Sequence, residues 1–396
     1  MNQKQSMKGR GVAAIMAPAF AFFLSLWASE AISASTVPLP PSDVCVEEHG
    51  CDTPSVSSGS GIKWHPGHYA EPQTYSAIPA SLITDIASVS SIKGVTQRYN
   101  WSTLEPERGQ YDFSAIQTDL AKLRPHGKHL IVMLVERSWS GSSSAFLPAY
   151  LSSEGGVKGW ISHPAGGVFA ALWRQPIMDR VIALNAALAA RFDNEPLFEG
   201  MRFAETTMGM NAGGSGVPSD YNVYTMAAQW TRLSTAARQY WKRTNVFFNA
   251  NSLNGTVYML DLIEHGWQIG GVGGGGPDVL PPGAWDYQVP GDRVIARKPN
   301  TSKGDNAAAF VRDYRGQIPV SHSVQTPELG GKEGTFYPAQ LADYAITQVG
   351  ETHMSWCVAP TTVKVNWKNH ILPYLRSGPR QTNQSCPKAY KNGCVN

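Results

Sequence analysis

From about residue 61 onward, the chain alternates between two patterns of apolar residues. Short runs rich in Val, Ile, Phe and Tyr are typical of β-strands, and each is followed by a longer stretch with apolar residues at helical spacing. Strands are predicted at residues 62–69, 95–101, 129–135, 200–204, 245–250, 269–273, 318–324 and 353–358. Because a helix separates each strand from the next, we expect neighbouring strands to run parallel.

Helices are predicted between these strands at residues 78–88, 114–123, 176–191, 221–243, 256–265, 307–314 and 338–349, with a last helix at 367–375. Eight strand–helix units in one chain favour an α/β fold, a single-domain (β/α)8 TIM barrel. An open doubly wound sheet is the alternative. The glycine-rich run at 270–276 lacks the helix and acidic residue of a dinucleotide-binding motif, so we interpret it as a flexible strand end.

The first 34 residues have the pattern of a secretory signal peptide. A basic start is followed by an apolar run at residues 12–27 and by small residues, with cleavage expected near Ala31 or Ala34. A retained anchor is the alternative, but the run contains Pro18 and is shorter than the about 20 residues that span a membrane. We therefore predict a secreted or periplasmic bacterial protein without stable membrane insertion once the signal is removed.

Composition divides the remainder into a Ser/Pro-rich tail at 35–60, a barrel domain at 61–378 and a cysteine-containing C-terminal tail at 379–396. In an oxidising compartment, Cys45 with Cys51 and Cys386 with Cys394 are the simplest disulfides, although a bridge between the two tails is also compatible with the sequence. Cys357 is then unpaired, and its apolar neighbours indicate a buried structural thiol.

The net charge and the distribution of Lys and Arg indicate which kinds of partner the chain can bind. A net charge of +3 without clustered Lys or Arg argues against nucleic acid. The chain has 12 Trp and 15 Tyr, and flat aromatic rings suit the faces of sugars, although most aromatic residues serve the core. No Cys/His spacing resembles a zinc site, and Pro66 and Gly67 break the spacing between His65 and His68, so no metal and no cofactor are expected.

One segment carries a family resemblance. Residues 98–113 have the sequence RYNWSTLEPERGQYDF and precede a predicted helix. The segment resembles a run that follows strand two in clan A of the glycoside hydrolases, which are retaining enzymes on (β/α)8 barrels. The resemblance implies an acid/base glutamate at the end of strand four and a nucleophilic glutamate at the end of strand seven.

Two glutamates are the candidates for these roles. Glu205 follows the predicted fourth strand, where partial desolvation would raise the pKa of its carboxyl group and suit it to protonating a leaving oxygen. The clan usually has Asn immediately before this Glu, and this chain has Ala204. The seventh strand contains no carboxylate, so Glu328 is the candidate nucleophile; a loop residue without a catalytic role is the alternative. If Ser323 occupies the clan position, a second carboxylate must come from elsewhere.

Further candidates lie near other predicted strand ends and in the long loops at 138–175 and 274–306. We expect substrate contact from Glu136, Asp278, Trp101, Trp285, His322 and Trp356. Each has a structural alternative: Glu136 can pair with Arg137, Asp278 can stabilise a turn, and the aromatic residues and His322 can pack in the core. Asp278 is also the substitute for Glu328.

These observations predict a glycoside hydrolase that acts on an extracellular or periplasmic polysaccharide or oligosaccharide with two carboxylates. A non-catalytic carbohydrate-binding barrel is the alternative, because Ala204 and the absent strand-seven carboxylate depart from the clan pattern. A secreted esterase is less favoured, since the chain contains no Gly-x-Ser-x-Gly motif.

Overall fold

A computed structural model describes residues 61–396 apart from 76, 140, 142–143, 165, 211–212, 251–255, 277–278, 280–310, 313 and 332–333. The described residues belong to one compact unit. The predicted signal peptide, the Ser/Pro-rich tail, Cys45 and Cys51 lie outside them. No helix among the described residues is long and apolar enough to cross a membrane.

Eight parallel strands close into a barrel, which confirms the predicted fold class. In chain order they are β1 (Gly67–Glu71), β2 (Ile92–Asn100), β3 (His129–Val135), β4 (Phe198–Glu205), β5 (Asn245–Asn249), β6 (Gly273–Gly276), β7 (Val320–Val324) and β8 (His353–Cys357). Each strand pairs with its neighbours in sequence order, and β8 pairs with β1 to complete the circle.

Helices follow the strands on the outside of the barrel. They are α1 (Ala80–Ile86), α2 (Ser114–Leu123), α3 (Gln175–Phe192), α4 (Val223–Tyr240), α5 (Thr256–Gln268), α6 (Pro338–Tyr344) and α7 (Leu372–Arg376), with π-helical turns at Ala345–Val349 and Trp367–Ile371. Apolar residues on their inner faces pack on the outer faces of the strands; Trp230 of α4 contacts Phe248 of β5 edge to face. The predicted helix at 307–314 lies largely outside the described residues.

The barrel interior is filled by every second side chain of each strand. Near the middle, Tyr69, Ile131 and Phe247 form a small apolar cluster. One step toward the carboxyl ends, the lining becomes polar: Thr96 Oγ1 and Ser355 Oγ lie 2.8 Å apart across the interior. The interior near the carboxyl ends of the strands, which we call the upper half of the barrel, is therefore lined by polar side chains.

Strand β6 differs from its prediction, which placed it at 269–273 and treated the glycines that follow as a flexible end. The structure has Gly273–Gly276 as a buried strand paired on both sides. A Cβ at Gly275 would collide with the carbonyl oxygen of Ser321, and one at Gly273 would meet Phe247 and Pro319. Glycine is disfavoured in strands in general, but here its lack of a side chain leaves room for neighbours.

The chain termini of the described region meet below the barrel. Ile62–Lys63 pairs in parallel with Cys394–Val395, and the Cys386–Cys394 disulfide is formed as predicted. Cys357 is free and fully buried, and burial raises the pKa of its thiol to about 12. A thiol in this environment stays protonated at neutral pH and is a poor nucleophile.

Candidate active site

Arg202 of β4 crosses the interior of the barrel and organises its polar upper half. Its guanidinium donates to Asn249 Oδ1 of β5 at 2.7 Å and to the carbonyl oxygens of Gly276 at 2.9 Å and Ser321 at 3.3 Å. It also approaches Ser355 Oγ on the opposite wall at 3.4 Å. Burial lowers the pKa of Arg202 to about 10, opposed by the charges of Glu71 and Glu351, so the side chain stays cationic at neutral pH.

Glu71, the last residue of β1, is the carboxylate that the sequence analysis missed. Its side chain is fully buried, and its Oε1 pairs with Arg98 Nη2 of β2 at 2.6 Å. Its Oε2 accepts a hydrogen bond from the hydroxyl of Ser323 on β7. Burial alone would lower the pKa of Arg98, but the charge and hydrogen bond of Glu71 outweigh it and raise that pKa. The pair is thus ionic.

The Ser323 contact has a geometric consequence. Ser323 is the inward-facing residue near the end of β7, where the resemblance leads one to expect a carboxylate. Because the Ser323 hydroxyl touches Glu71 Oε2, the carboxylate of Glu71 lies within a hydrogen-bond length of the β7 side chain. Strand β1 therefore supplies a carboxylate next to the position that β7 leaves without one.

Glu205 is the last residue of β4 and is partly exposed. The strand register shifts between Phe203 and Glu205, which brings Glu205 opposite Asn249. The Asn249 side chain faces the interior, since it accepts from Arg202, and paired residues of adjacent strands point to the same face. This β-bulge turns Glu205 toward the mouth of the barrel.

Glu136 forms an ion pair with Arg137, which is the structural alternative to substrate contact. Arg137 Nε donates to Glu136 Oε1 at 2.7 Å, and both side chains are buried. Arg137 also donates to the carbonyl oxygen of Thr207, two residues beyond Glu205. The pair thereby ties the end of β3 to the loop that follows Glu205.

Trp139 presents an exposed ring on the same side of the barrel. It is 48% exposed, although its edge contacts Phe169, with ring centroids 4.6 Å apart, and His163, with centroids 6.0 Å apart. The Arg137 guanidinium lies 5.8 Å from its centroid. A Cβ at Gly209, in the loop after Glu205, would lie 3.7 Å from Trp139 Cζ3. Trp139 is therefore a supported aromatic surface beside the Glu205 loop.

Glu328 lies fully buried in the loop after β7. Its Oε1 accepts from the backbone N–H of Val279 at 2.9 Å and its Oε2 from that of Gln325 at 2.8 Å. These contacts join the loops that follow β6 and β7. The structure thus places Glu328 as a loop-organising carboxylate, and a catalytic role for it stays a prediction.

Three other candidates have the contacts of core residues. Trp101 is buried and donates to Glu105 Oε2 at 2.9 Å. Trp356 donates to His68 Nδ1 at 3.0 Å and packs on Tyr374 of α7, on the outside of the barrel. His322 is buried, with Nδ1 2.8 Å from Glu351 Oε2. Within the described part of the chain, none of these three side chains hydrogen-bonds to Glu71, Arg98 or Ser323. Asp278 and Trp285 lie outside the described residues.

The segment that carries the family resemblance is a structural loop at the top of β2. Glu105 accepts from Trp101, from the backbone N–H of Gly109 at 2.9 Å and from Arg180 of α3. The carboxylate is fully buried and satisfied on both oxygens. Residues 101–113 of this segment fix the chain after β2, whereas Arg98 at its start pairs with Glu71 inside the barrel.

No family model and no curated protein matches the chain. Among solved structures, the fold is similar to that of the catalytic domain of β-amylase from Paenibacillus polymyxa, with a TM-score of 0.52 and 10% identity over 81% of this chain and 98% of that one. Endo-glycoceramidase II from Rhodococcus sp. is also similar, with a TM-score of 0.48 and 14% identity over 80% of each chain. These neighbours are glycoside hydrolases with an eight-stranded parallel barrel. At 10% identity the likeness to the β-amylase domain shows the fold alone, and it supports the (β/α)8 barrel.

Proposed function

We propose that the chain is a glycoside hydrolase in which Glu205 and Glu71 are the two working carboxylates. The observation that carries the proposal is the contact between Ser323 and Glu71, because it supplies a carboxylate beside β7, where the resemblance requires one. Glu71 is the last residue of β1, and Glu205 is the last residue of β4. The carboxyl ends of barrel strands are where active sites of this fold are found.

The two side chains suit different parts of the reaction. Glu205 is partly exposed at the end of β4, so it is the candidate that protonates the glycosidic oxygen and later takes a proton from water. Glu71 forms an ion pair with Arg98. Its carboxylate is the candidate that attacks the anomeric carbon or activates a water molecule. A short separation between the carboxyl groups would give retention, and a longer one inversion.

The aromatic surface of Trp139 supports a carbohydrate substrate. The exposed Trp139 ring is held by Phe169 and His163, so it loses little freedom when a sugar face stacks on it. With the predicted signal peptide, this favours an extracellular or periplasmic polysaccharide or oligosaccharide as the substrate.

The test uses Glu205→Gln and Glu71→Gln, with Glu107→Gln as the matched control, since Glu107 is exposed in the loop after β2. Release of reducing ends is measured on a panel of α- and β-linked polysaccharides. We expect both site variants to lose about 10²-fold or more of the wild-type rate, with circular dichroism unchanged and Glu107→Gln fully active. Wild-type turnover by Glu205→Gln would end the proposal, and wild-type turnover by Glu71→Gln would remove Glu71 from it.

A sugar-binding barrel without catalysis is the second candidate, favoured by Ser323 and Ala204 at positions where the clan carries polar or acidic groups. In that case Glu71 and Arg98 only stabilise the barrel. Affinity gel electrophoresis with the same polysaccharides distinguishes the two, because the binding function predicts retardation of the wild-type protein without any release of reducing ends.

A further inference from the structure

A second group of polar side chains lies at the opposite, N-terminal end of the barrel. His65 precedes β1, His129 is the first residue of β3, and Glu199 is the second residue of β4. One ligand atom from each of the three side chains can be chosen so that all lie within 4.8 Å of one another. Residues that are 134 positions apart in sequence, such as His65 and Glu199, thus meet at one point.

The contacts within this group leave ligand capacity unused. His65 Nδ1 lies 2.7 Å from Glu199 Oε2, and the His65 and His129 rings are stacked with centroids 3.7 Å apart. His129 Nδ1 is buried and has no hydrogen-bond partner in the described part of the chain. A buried imidazole nitrogen without a partner is costly, so it points to a missing one.

The surroundings hold the Glu199 carboxylate in a fixed orientation. Its Oε1 accepts from His353 Nε2 at 3.0 Å, Asn245 Nδ2 at 2.9 Å and the backbone N–H of His65 at 2.9 Å. Its Oε2 is left to face His65. Outer contacts of this kind orient the ligands of metal sites.

The group is also reachable from solvent. Glu199 is fully buried, whereas the His65 side chain is 19% exposed and His129 is partly exposed. Lys63 is nearby and its charge opposes a bound cation, but its ammonium group donates to the carbonyl oxygen of Glu195 at 2.8 Å. One side of the group therefore remains open to an incoming ion and to water.

We propose that His65, His129 and Glu199 form a binding site for one divalent transition-metal ion, with Zn²⁺ as the ion best matched to this set. Two imidazoles and one carboxylate with a fourth position open to water are a common arrangement for zinc. The site lies at the end of the barrel opposite Glu71 and Glu205, so it serves stability. A bound ion fastens the segment before β1 to β3 and β4.

The probes are Zn²⁺ and Co²⁺ with untagged, EDTA-dialysed protein. Isothermal titration should show one Zn²⁺ per chain, Co²⁺ should give visible absorption bands, and Zn²⁺ should raise Tm, because a ligand that binds the folded state stabilises it. His65→Gln and His129→Gln should each weaken binding by about tenfold or more and remove the Tm increase. His126→Gln is the matched control, because His126 is exposed in the turn that precedes β3.

Two results would overturn the site. One is a lack of Zn²⁺ binding by the folded wild-type protein at Zn²⁺ concentrations up to about a thousandfold above the Kd of a typical structural zinc site. The other is binding that persists unchanged in both His65→Gln and His129→Gln. Circular dichroism of the metal-free variants is the check that they are folded. Hydrolytic activity plays no part in either readout, so failure here leaves the proposed function untouched.

Discussion

Arg98 and Glu71 form an ion pair inside the barrel, with Nη2 and Oε1 2.6 Å apart and the carboxylate fully buried. The Arg98 side chain is 15% exposed, so one side of the pair reaches the barrel mouth while the other is sealed. In a buried ion pair, each charge compensates the other for the loss of solvation by water. Removing only one of the two therefore lowers the stability of the fold, because the remaining charge is poorly solvated.

We therefore expect Arg98→Met to destabilise the fold by about 3 kcal/mol, because it removes the cation that pairs with the buried Glu71 charge. The double variant Arg98→Met with Glu71→Gln should regain most of that loss, since neither position of the pair then carries a charge. Urea unfolding of the wild type, both single variants and the double variant measures the coupling. Additive losses in the double variant would contradict the expectation.

Trp139→Ala should weaken substrate binding and leave the chemical step intact. Loss of one stacked ring is worth about 1 kcal/mol, which corresponds to an increase in KM of about fivefold with kcat unchanged. Trp267→Ala is the matched control, because Trp267 is 40% exposed near the end of α5, which leads into the N-terminal end of β6.

The same pair of variants in a Glu205→Gln background separates binding from catalysis. Retardation in a polysaccharide gel should be weaker for Trp139→Ala than for Trp267→Ala. Equal retardation of the two would mean that Trp139 does not contact the sugar.

His68 makes stability depend on pH. Its Nδ1 accepts the indole N–H of Trp356 at 3.0 Å and its Nε2 donates to the carbonyl oxygen of Arg380 at 3.0 Å, so the contacts fit the neutral ring. Burial lowers the pKa of His68 from 6.5 to about 4. The unfolded chain therefore takes up a proton at a higher pH than the folded one does, and stability contributed by neutral His68 is complete above pH 6.5 and lost as the pH falls to about 4.

His68→Gln can keep both hydrogen bonds but cannot titrate in this range. We expect the free energy of unfolding of the variant to fall less than that of the wild type between pH 7 and pH 4, by up to about 3 kcal/mol. Urea unfolding at several pH values measures the slope, with exposed His126→Gln as the control. Parallel curves for wild type and His68→Gln would contradict the argument.

The fold was predictable because its signal is local. Alternating strand and helix patterns repeat along the chain, and helix α2 at Ser114–Leu123 and strand β3 at His129–Val135 have the predicted bounds. Strand β6 was harder, since the glycines that form it are favourable only where Phe247 and Ser321 exclude side chains. That exclusion depends on neighbouring strands and is invisible in a local pattern.

The candidate site was predictable in part. Glu205 was found because it directly follows an apolar strand. Glu71 was missed because the predicted first strand ended at Tyr69, two residues early, and because its partners are distant: Ser323 is 252 positions away. The histidines of the proposed metal site were considered only as a neighbouring pair, His65 and His68, whereas the structure joins His65 to His129 and Glu199. Such groups are created by barrel closure, which brings strand ends together whatever their separation in sequence.

The Cys386–Cys394 disulfide should stabilise the closure of the chain below the barrel. It closes a loop with a sequence separation of 8, and Cys394 pairs with Ile62 ahead of β1. Restricting the unfolded chain over so short a loop is worth about 2 to 3 kcal/mol. Cys386→Ser with Cys394→Ser should lower the free energy of unfolding by that amount, measured by urea unfolding without reductant. Cys45→Ser with Cys51→Ser is the control, since both lie before the barrel, and an equal loss in the two double variants would show that the Cys386–Cys394 bridge has no special part in the closure.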